Sequence, residues 1–113
     1  MKKSTIEVGK VYRSKSGKKF RLVTGLGPEF KLISGQTDLD CVQYLACYTN
    51  KAGQMKVSMG LQTNPPGKEK DADEVAAWFH TTRTSFASWA HCLATDPEAE
   101  LVRNTLKLAG VRV

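Results

Sequence analysis

LDCVQYLACY, residues 39–48, is apolar on both of the faces that a β-strand would present. Such a strand is typical of the centre of a sheet that is covered on both sides. It is followed by a connection through Asn50-Lys51-Ala52-Gly53 and by QMKVSMGL, residues 54–61, where apolar and polar side chains alternate. The pattern predicts a long hairpin in the middle of the fold.

A second hairpin is predicted upstream, in GKVYRSKSGKKFRLVTG, residues 9–25. Strands over Val11–Ser14 and Lys19–Leu26 flank a polar turn that contains glycine. Because side chains alternate along a strand, Phe20 and Leu22 are expected on one face and Lys19 and Arg21 on the other. We therefore expect one mostly apolar face and one face that carries much of the charge.

The chain changes character after QTNPPGKEKDA, residues 62–72, which is predicted to be a long loop because of its prolines, glycine and mixed charge. A short strand is predicted before it at Lys31–Ser34. After it, Asp73–Phe79 can begin a helix, although WFHTTRT, residues 78–84, has a strand-like composition. These two alternatives overlap and stay open at the level of sequence.

Two helices are predicted near the C-terminus. Ser85 is expected to be the N-cap of a helix over Phe86–Ala94, whose apolar residues fall on one face. Thr95 and Glu98 form a capping-box pattern around Asp96-Pro97 at the start of the last helix. The apolar stripe of that helix is expected to comprise Leu101, Val102, Thr105, Leu106 and Ala109, with Gly110 as the stop.

The opening hairpin resembles the first two strands of small SH3-like β-barrels of bacteria and phages. The resemblance rests on Gly9-x-Val11-Tyr12-Arg13, Ser16-Gly17 and Phe20-Arg21-Leu22-Val23, and covers about a quarter of the chain. It implies a curled antiparallel sheet of a kind that commonly binds peptides or nucleic acids. The helical C-terminal third departs from a minimal barrel, so no functional residue is carried over.

Together these patterns predict an α+β fold, with residues 1–113 forming a single domain. The N-terminal two thirds are expected to form a curved antiparallel sheet or a small SH3-like barrel, with the C-terminal helices packed on it. Hydrophobic residues make up 41% of the chain and charged residues 25%, as in ordinary globular proteins. Residues 4–10 are too polar for the core of a signal peptide, and the sequence has no apolar run of about 20 residues, so we expect a cytoplasmic protein with no membrane partner.

Positive charge is concentrated at the start of the chain. Residues 1–31 carry nine Lys or Arg against two Glu, whereas the remaining residues carry eight basic and nine acidic side chains. Clustered cations favour binding to the phosphates of nucleic acids. The predicted nucleic-acid contacts are Lys10, Arg13, Lys15, Lys18, Lys19 and Arg21. Arg13, Lys19 and Arg21 are expected on one side of the hairpin, with Lys15 and Lys18 at its tip.

This charge has a simpler interpretation as well, because lysines on a strand edge keep a protein soluble and prevent pairing with other chains. Single-strand binding would also need an aromatic ring for base stacking, and Tyr12 is the one candidate on this part of the hairpin. The function favoured is nonetheless a non-enzymatic, nucleic-acid-binding protein.

The alternative is an adaptor or inhibitor that binds another protein through the aromatic run between residues 76 and 93. Trp78, Arg83 and Trp89 would be its interaction residues, since Trp and Arg are frequent interface anchors. The aromatic side chains can equally form part of the core. The sequence also leaves open a homodimer.

A third alternative is a small enzyme that uses a cysteine or a carboxylate cluster. Cys41, Cys47 and Cys92 are an odd number of thiols with apolar neighbours, which favours buried, reduced cysteines. Their spacing, and that of His80 and His91, does not match a zinc site. The acidic residues favour capping and solubility over metal binding; they are Asp38, Asp40, Glu69, Asp71, Asp73 and Glu74. We therefore predict no catalytic residue, no metal and no cofactor.

Overall fold

A computed structural model of the chain describes residues 1–27, 40–58 and 79–111. It is an α+β fold with six antiparallel strands and two helices in the described ranges, preceded by a 3-10 turn at Lys3–Thr5. The strands are β1 (Val11–Arg13), β2 (Lys19–Leu26), β3 (Cys41–Thr49), β4 (Met55–Ser58), β5 (Phe79–Thr82) and β6 (Cys92–Leu93). The helices are α1 (Arg83–Trp89) and α2 (Asp96–Leu108).

The strands form one sheet in the order β4-β3-β2-β1-β6. Strand β3 is long enough to pair with β4 along its C-terminal half and with β5 along its N-terminal half, on the same side. Among the described strands no pairing joins β6 to β4 or β5, so the sheet is open. The expected α+β class with an antiparallel sheet is confirmed.

The opening hairpin forms where the sequence predicts it. Ser14 N–H donates to the Lys19 carbonyl at 3.0 Å, and Gly17 N–H donates to the Ser14 carbonyl at 3.0 Å. Gly17 has φ of +72°, and a Cβ there would lie 2.6 Å from a guanidinium nitrogen of Arg13. The backbone conformation therefore favours a glycine at this turn, whereas the nearby guanidinium is the mobile end of a side chain and can move aside.

The central position of β3 is also confirmed. Its pattern of burial is continuous over Cys41–Leu45, and the strand is covered on both faces. The turn to β4 is closed by Asn50, whose N–H donates to the Gln54 carbonyl at 2.9 Å, and by Gly53, which has φ of +80°. Strand β3 thus organises the fold because β2, β4 and β5 all pair with it.

Each face of the sheet has its own apolar cluster. On the first, which we call the α1 face, α1 packs with the 3-10 turn region against strand residues including Tyr12, Val23 and Tyr44. On the second, the α2 face, Val102 and Leu106 of α2 cover strand residues including Phe20 and Leu45. Because side chains alternate along a strand, the polar residues of each strand are divided between the α1 face and the α2 face.

The helix predicted over residues 86–94 is placed wrongly. Thr82 is the N-cap of α1, since its hydroxyl accepts a hydrogen bond from Ser85 N–H at 3.1 Å, and the helix ends at Trp89. Cys92 and Leu93 are extended and pair with Arg13 and Tyr12 of β1. The free edge of β1 offers backbone hydrogen bonds to this segment, and the segment could not form them as part of a longer helix.

The last helix is confirmed with its caps. Thr95 and Glu98 form both bonds of the capping box, and Gly110 has φ of +84° just after the helix. Val102 and Leu106 are fully buried, but Leu101 is 50% exposed. The buried stripe is thus narrower than the one expected from the sequence.

Several predicted elements lie outside the described residues: the strand at Lys31–Ser34, the loop over residues 62–72, and the helix start before Phe79. In the overlapping segment, Phe79–Thr82 is a strand, as the composition of residues 78–84 predicts. Within the described ranges, none of the helices has the length and the apolar character required to span a membrane.

Candidate nucleic-acid interface

The cations predicted to bind phosphate do not form one patch. Strand pairing places Tyr12 opposite Arg21 and Arg13 opposite Phe20. Directly paired residues point to the same side of a sheet, so Arg21 and Lys19 lie on the α1 face and Arg13 lies on the α2 face. The expectation that Arg13 shares a side with Arg21 is wrong.

The other predicted cations are spread along the hairpin. Lys15 and Lys18 are exposed at the turn, and Lys10 is exposed at the opposite end, where its carbonyl accepts from Val23 N–H at 3.1 Å. The β3–β4 turn lies beside the β1–β2 turn, because Thr49 N–H donates to the Lys18 carbonyl at 2.8 Å. The end of the sheet with Lys15 and Lys18 therefore also carries Lys51.

Arg13 already has a carboxylate partner. One of its guanidinium nitrogens lies 3.7 Å from a carboxylate oxygen of Glu98 on α2, and its side chain is 32% exposed. Its Nε is buried with no hydrogen-bond partner among the described residues. The hydrogen bond from the Thr95 N–H is the largest cause that lowers the pKa of Glu98; the Thr95 side chain adds to it, and the nearby charge of Arg13 contributes least. Arg13 thus serves to fasten α2 to β1 rather than to present a cation.

Tyr12, the expected stacking residue, is fully buried on the α1 face. Its hydroxyl donates to the Thr5 carbonyl at 2.6 Å and accepts from Glu7 N–H at 2.8 Å, and its ring meets Phe86 edge-on. Burial raises the pKa of this phenol. The expectation that Tyr12 could stack on a base is wrong, because its ring belongs to the core.

A different tyrosine occupies the position that stacking requires. Lys19 of β2 pairs with Tyr48 of β3, and Tyr48 pairs with Lys56 of β4. All three side chains lie on the α1 face, in one line across three strands, and Tyr48 is 39% exposed between two exposed lysines. Directly opposed side chains have Cβ atoms about 5 Å apart. We call these three residues the Tyr48 row.

The next line across the same strands contains Arg21, Ala46 and Ser58. The guanidinium carbon of Arg21 lies 4.0 Å from the ring centre of Trp89 and 4.4 Å from that of Tyr44. Burial lowers the pKa of Arg21, and the nearby Tyr44 opposes this effect. The guanidinium of an arginine is a cation near neutral pH, and here it lies against the rings of Tyr44 and Trp89.

A cavity of about 230 Å³ opens beside this stack, and we call it the Arg21 pocket. Its side-chain walls come from both hairpins, β5 and α1: Lys19, Arg21, Tyr44, Ser58, Phe79 and Trp89. Tyr44 and Phe79 lie nearly parallel, with ring centres 5.3 Å apart. The pocket lies between the Tyr48 row and α1, so the two features form one continuous surface.

The charged side chains that the two hairpins contribute to this surface are all positive. The two hairpin segments of this surface, residues 14–21 and 46–58, contain six Lys or Arg and no Asp or Glu. Within the part of the chain that the structure describes, the ion pair of Arg13 and Glu98 lies on the α2 face. The positive charge near Tyr48 is consequently not cancelled by a neighbouring carboxylate of these strands.

Tyr48 and Lys56 were not identified as site residues by their sequence. Both lie in the second hairpin, and each looks like an ordinary strand residue. The alternation of Lys56 with Met55 and Val57 is the one local signal that it faces outward. Lys19 is predicted as a phosphate contact from the sequence, but its place beside Tyr48 depends on the register in which β2 pairs with β3.

Of the residues of the protein-binding alternative, the structure describes Arg83 and Trp89, which lie at opposite ends of α1. Trp78 lies outside the described residues. Arg83 begins α1 and donates to the Gly27 carbonyl at 2.8 Å, whereas Trp89 ends α1, about 9 Å further along the helix axis, and packs on Arg21 and Phe86. This alternative stays a prediction, although the described contacts give Arg83 and Trp89 structural partners.

The thiols of the enzyme alternative lie on different strands, Cys41 and Cys47 on β3 and Cys92 on β6. Burial raises the pKa of Cys47 to about 11, which is the opposite of what a nucleophilic thiol needs, and burial lowers the pKa of His80. Cys92 lies on a strand, not on the expected helix. No group of three His, Cys, Asp or Glu that could hold a metal occurs within residues 1–27, 40–58 and 79–111. Asp40 is the one member of the predicted carboxylate clusters within those ranges.

Comparison of the chain with protein-family models, with curated proteins and with solved structures finds no match. The function of this surface is therefore inferred from the chemistry of its own residues.

Proposed function

We propose that the protein binds single-stranded nucleic acid across the α1 face, beyond the end of α1. The observation that carries this proposal is the exposed ring of Tyr48 held between Lys19 and Lys56 on three adjacent strands. The ring provides a stacking surface for one unpaired base. The two lysines provide cations for the phosphates on either side of that base.

The energetics of each contact are favourable on such a surface. Stacking of a base on an aromatic side chain contributes about 1–3 kcal/mol. Neither Lys19 nor Lys56 has an ion-pair partner among the described residues, so neither must give up a carboxylate to bind phosphate. Release of the counterions around the nucleic acid then makes binding favourable and salt-dependent.

A single strand suits this surface better than a duplex. The face of Tyr48 can stack only on a base that is not already stacked inside a helix, and the rows of the sheet follow one another at about 7 Å. Two successive rows, with Tyr48 in one and Arg21 in the next, therefore offer successive contacts to an extended strand. Lys15, Lys18 and Lys51 extend the positive surface at the adjoining turns.

The proposal changes the roles of the cations predicted from the sequence. Lys19 and Arg21 remain contacts, and Lys15 and Lys18 remain nearby charges. Arg13 and Lys10 are left out, because the first faces α2 and the second lies at the far end of β1. The resemblance to SH3-like barrels stays a prediction, and nothing in the proposal depends on it.

A salt series tests the proposal. Fluorescence anisotropy with labelled single strands and duplexes of the same sequence, as DNA and as RNA, would be measured between about 50 and 200 mM salt. We expect single strands to bind more tightly and affinity to fall steeply with salt. In Lys19→Glu/Lys56→Glu, affinity should collapse, and any residual binding should show a salt slope lower by about 1.4, because two phosphate contacts are lost.

The matched control is Lys10→Glu/Lys107→Glu, which changes the net charge equally at two exposed lysines away from the Tyr48 row. We expect it to retain the base-stacking contribution and most of the affinity. Equal losses in the two double variants would mean that only net charge matters. An absence of single-strand binding at low salt would refute the proposed function.

A further inference from the structure

Arg21 is a half-buried cation with no hydrogen-bond acceptor among the described residues. A guanidinium presents five N–H donors in a rigid plane. Two of the rings that hold it, Tyr44 and Trp89, lie within 4.4 Å of its carbon and fix its position without using those donors. None of the guanidinium nitrogens of Arg21 is among the buried, unpartnered atoms of the described residues, so these donors reach the surface of the pocket and are available to an acceptor on a ligand.

The Arg21 pocket limits the size and shape of that ligand. Its volume of about 230 Å³ is below the roughly 300–1,000 Å³ that is usual for drug-sized molecules. The near-parallel rings of Tyr44 and Phe79, together with Trp89, give it aromatic walls. Such walls suit a flat aromatic group, whereas a phosphate gains nothing from them.

We propose that the Arg21 pocket receives one unpaired guanine base of the bound strand, with Arg21 donating to its O6 and N7 atoms. The inference rests on the proposed function, since the base is delivered by the strand that stacks on Tyr48. Guanine presents these two acceptors side by side, and paired donation from arginine is the commonest specific contact to this base. Ser58 lies on the same line of the sheet as Arg21 and offers a hydroxyl at the pocket wall.

The chemistry of the other bases ranks them below guanine. Adenine and thymine alternate donors and acceptors along their exposed edges, so each offers Arg21 one acceptor rather than an adjacent pair. Cytosine presents two neighbouring acceptors on its pairing edge, but its single ring fills less of the aromatic pocket. The expected order is therefore guanine first, cytosine second, and the remaining two weaker.

The test uses the whole chain and thymine oligonucleotides of about ten nucleotides, in which the central base is thymine, guanine, adenine or cytosine. All four have the same number of phosphates, so a site for phosphate alone would bind them equally. We expect the guanine oligonucleotide to bind about five- to one-hundredfold more tightly than the all-thymine one. Because this comparison is made on the wild-type protein, it needs no variant to fold.

Arg21→Lys then separates charge from paired hydrogen bonding, since lysine keeps the charge but cannot donate two bonds in one plane. We expect the guanine preference to disappear while the affinity for the all-thymine oligonucleotide is nearly retained. Arg103→Lys, on α2, is the matched control and should keep the preference. Equal binding of the four oligonucleotides to wild type, a preference for another base, or a guanine preference that survives Arg21→Lys would overturn the assignment. Binding without base preference refutes the pocket alone, whereas no binding refutes the proposed function itself.

Discussion

The two faces of the sheet treat two arginines of one hairpin in opposite ways. On the α2 face, Arg13 meets a carboxylate of α2 and lies against the glycine of its own turn. On the α1 face, Arg21 is stacked between Tyr44 and Trp89 and has no carboxylate partner among the described residues. The two arginines belong to the same hairpin, but Arg13 faces a carboxylate and Arg21 faces aromatic rings and the pocket beside them.

The difference follows from the lengths of the helices. Helix α2 has 13 residues and brings Glu98 to Arg13, whereas α1 has seven residues and ends at Trp89. The short helix stops before the end of the α1 face, and none of the other described elements covers the Tyr48 row there. A count of positive charges along the chain cannot distinguish these cases, because the covering helix decides which cations are available.

The largest expected effects concern the residues that anchor each helix. Phe86→Ala should lower the free energy of unfolding by about 3–5 kcal/mol and Leu106→Ala by about 2–5 kcal/mol, because both side chains are fully buried and each substitution leaves a cavity. Chemical denaturation measures both.

The two faces are also expected to differ in their effect on binding. Folded Leu106→Ala should keep the guanine preference, and the milder Phe86→Leu should weaken it, since Phe86 packs against Trp89 and Tyr44. Equal effects of Leu106→Ala and Phe86→Leu on the guanine preference would contradict the assignment of binding to the α1 face alone.

The next effect is on binding alone. Tyr48→Ala should weaken single-strand binding by about 1–3 kcal/mol, or about five- to 150-fold, because the stacking surface is lost. Tyr48→Phe keeps the ring and should bind as wild type does. Leu101→Ala removes an apolar side chain of α2 that is more exposed than Tyr48, and it is the control. Affinity that is unchanged in Tyr48→Ala would exclude the Tyr48 row as the binding surface.

A smaller effect is expected at the start of α2. Thr95→Ala should lower the free energy of unfolding by about 1 kcal/mol, because the hydroxyl that caps Glu98 N–H is removed.

The other half of the capping box should make stability depend on pH. The pKa of Glu98 is lowered by the hydrogen bond from the Thr95 N–H, so the ionised form of Glu98 stabilises the folded state. That contribution is complete above the unfolded pKa near 4.5 and is lost as the pH falls through the lower folded value. Unfolding measured against pH should show wild type and Glu98→Gln converging in acid; a constant difference would contradict this.

The smallest effect is expected for the ion pair. Arg13→Gln should lower stability by less than about 1 kcal/mol, because the pair is long and partly exposed. It should leave the affinity for single strands and its salt dependence nearly unchanged. Arg21→Gln, measured beside it, should reduce both. A loss of binding in Arg13→Gln as large as that in Arg21→Gln would show that the two faces are not distinct.

Local patterns were sufficient for much of the fold. The two hairpins, the covered strand β3 and the capped helix α2 follow from alternation, turn glycines and the capping box. The start of α1 was predicted three residues late, because Thr82 and Ser85 are both good caps and only the strand before Thr82 decides between them. The end of α1 was missed because Cys92 and Leu93 pair with β1, a contact distant in sequence.

The candidate site required information that no single segment contains. The turn bond between Ser14 and Lys19 fixes Arg13 opposite Phe20, so the separation of the two arginines could have been derived from the turn alone. The Tyr48 row could not, since it depends on the pairing of β2 with β3 and of β3 with β4. The contact of Trp89 with Arg21 likewise depends on where α1 packs on the sheet, which the sequence of α1 alone does not specify.

The most direct test of the claim that the open end of the α1 face binds single strands is an amide chemical-shift titration. Isotope-labelled protein would be titrated with a single-stranded oligonucleotide at low salt. We expect the shifts to concentrate at Lys19–Arg21, Tyr44–Tyr48 and Lys56–Ser58, with the side-chain indole of Trp89, while α2 and Arg13 remain unmoved. Shifts centred on α2, or no shifts at any ratio of strand to protein, would contradict the claim.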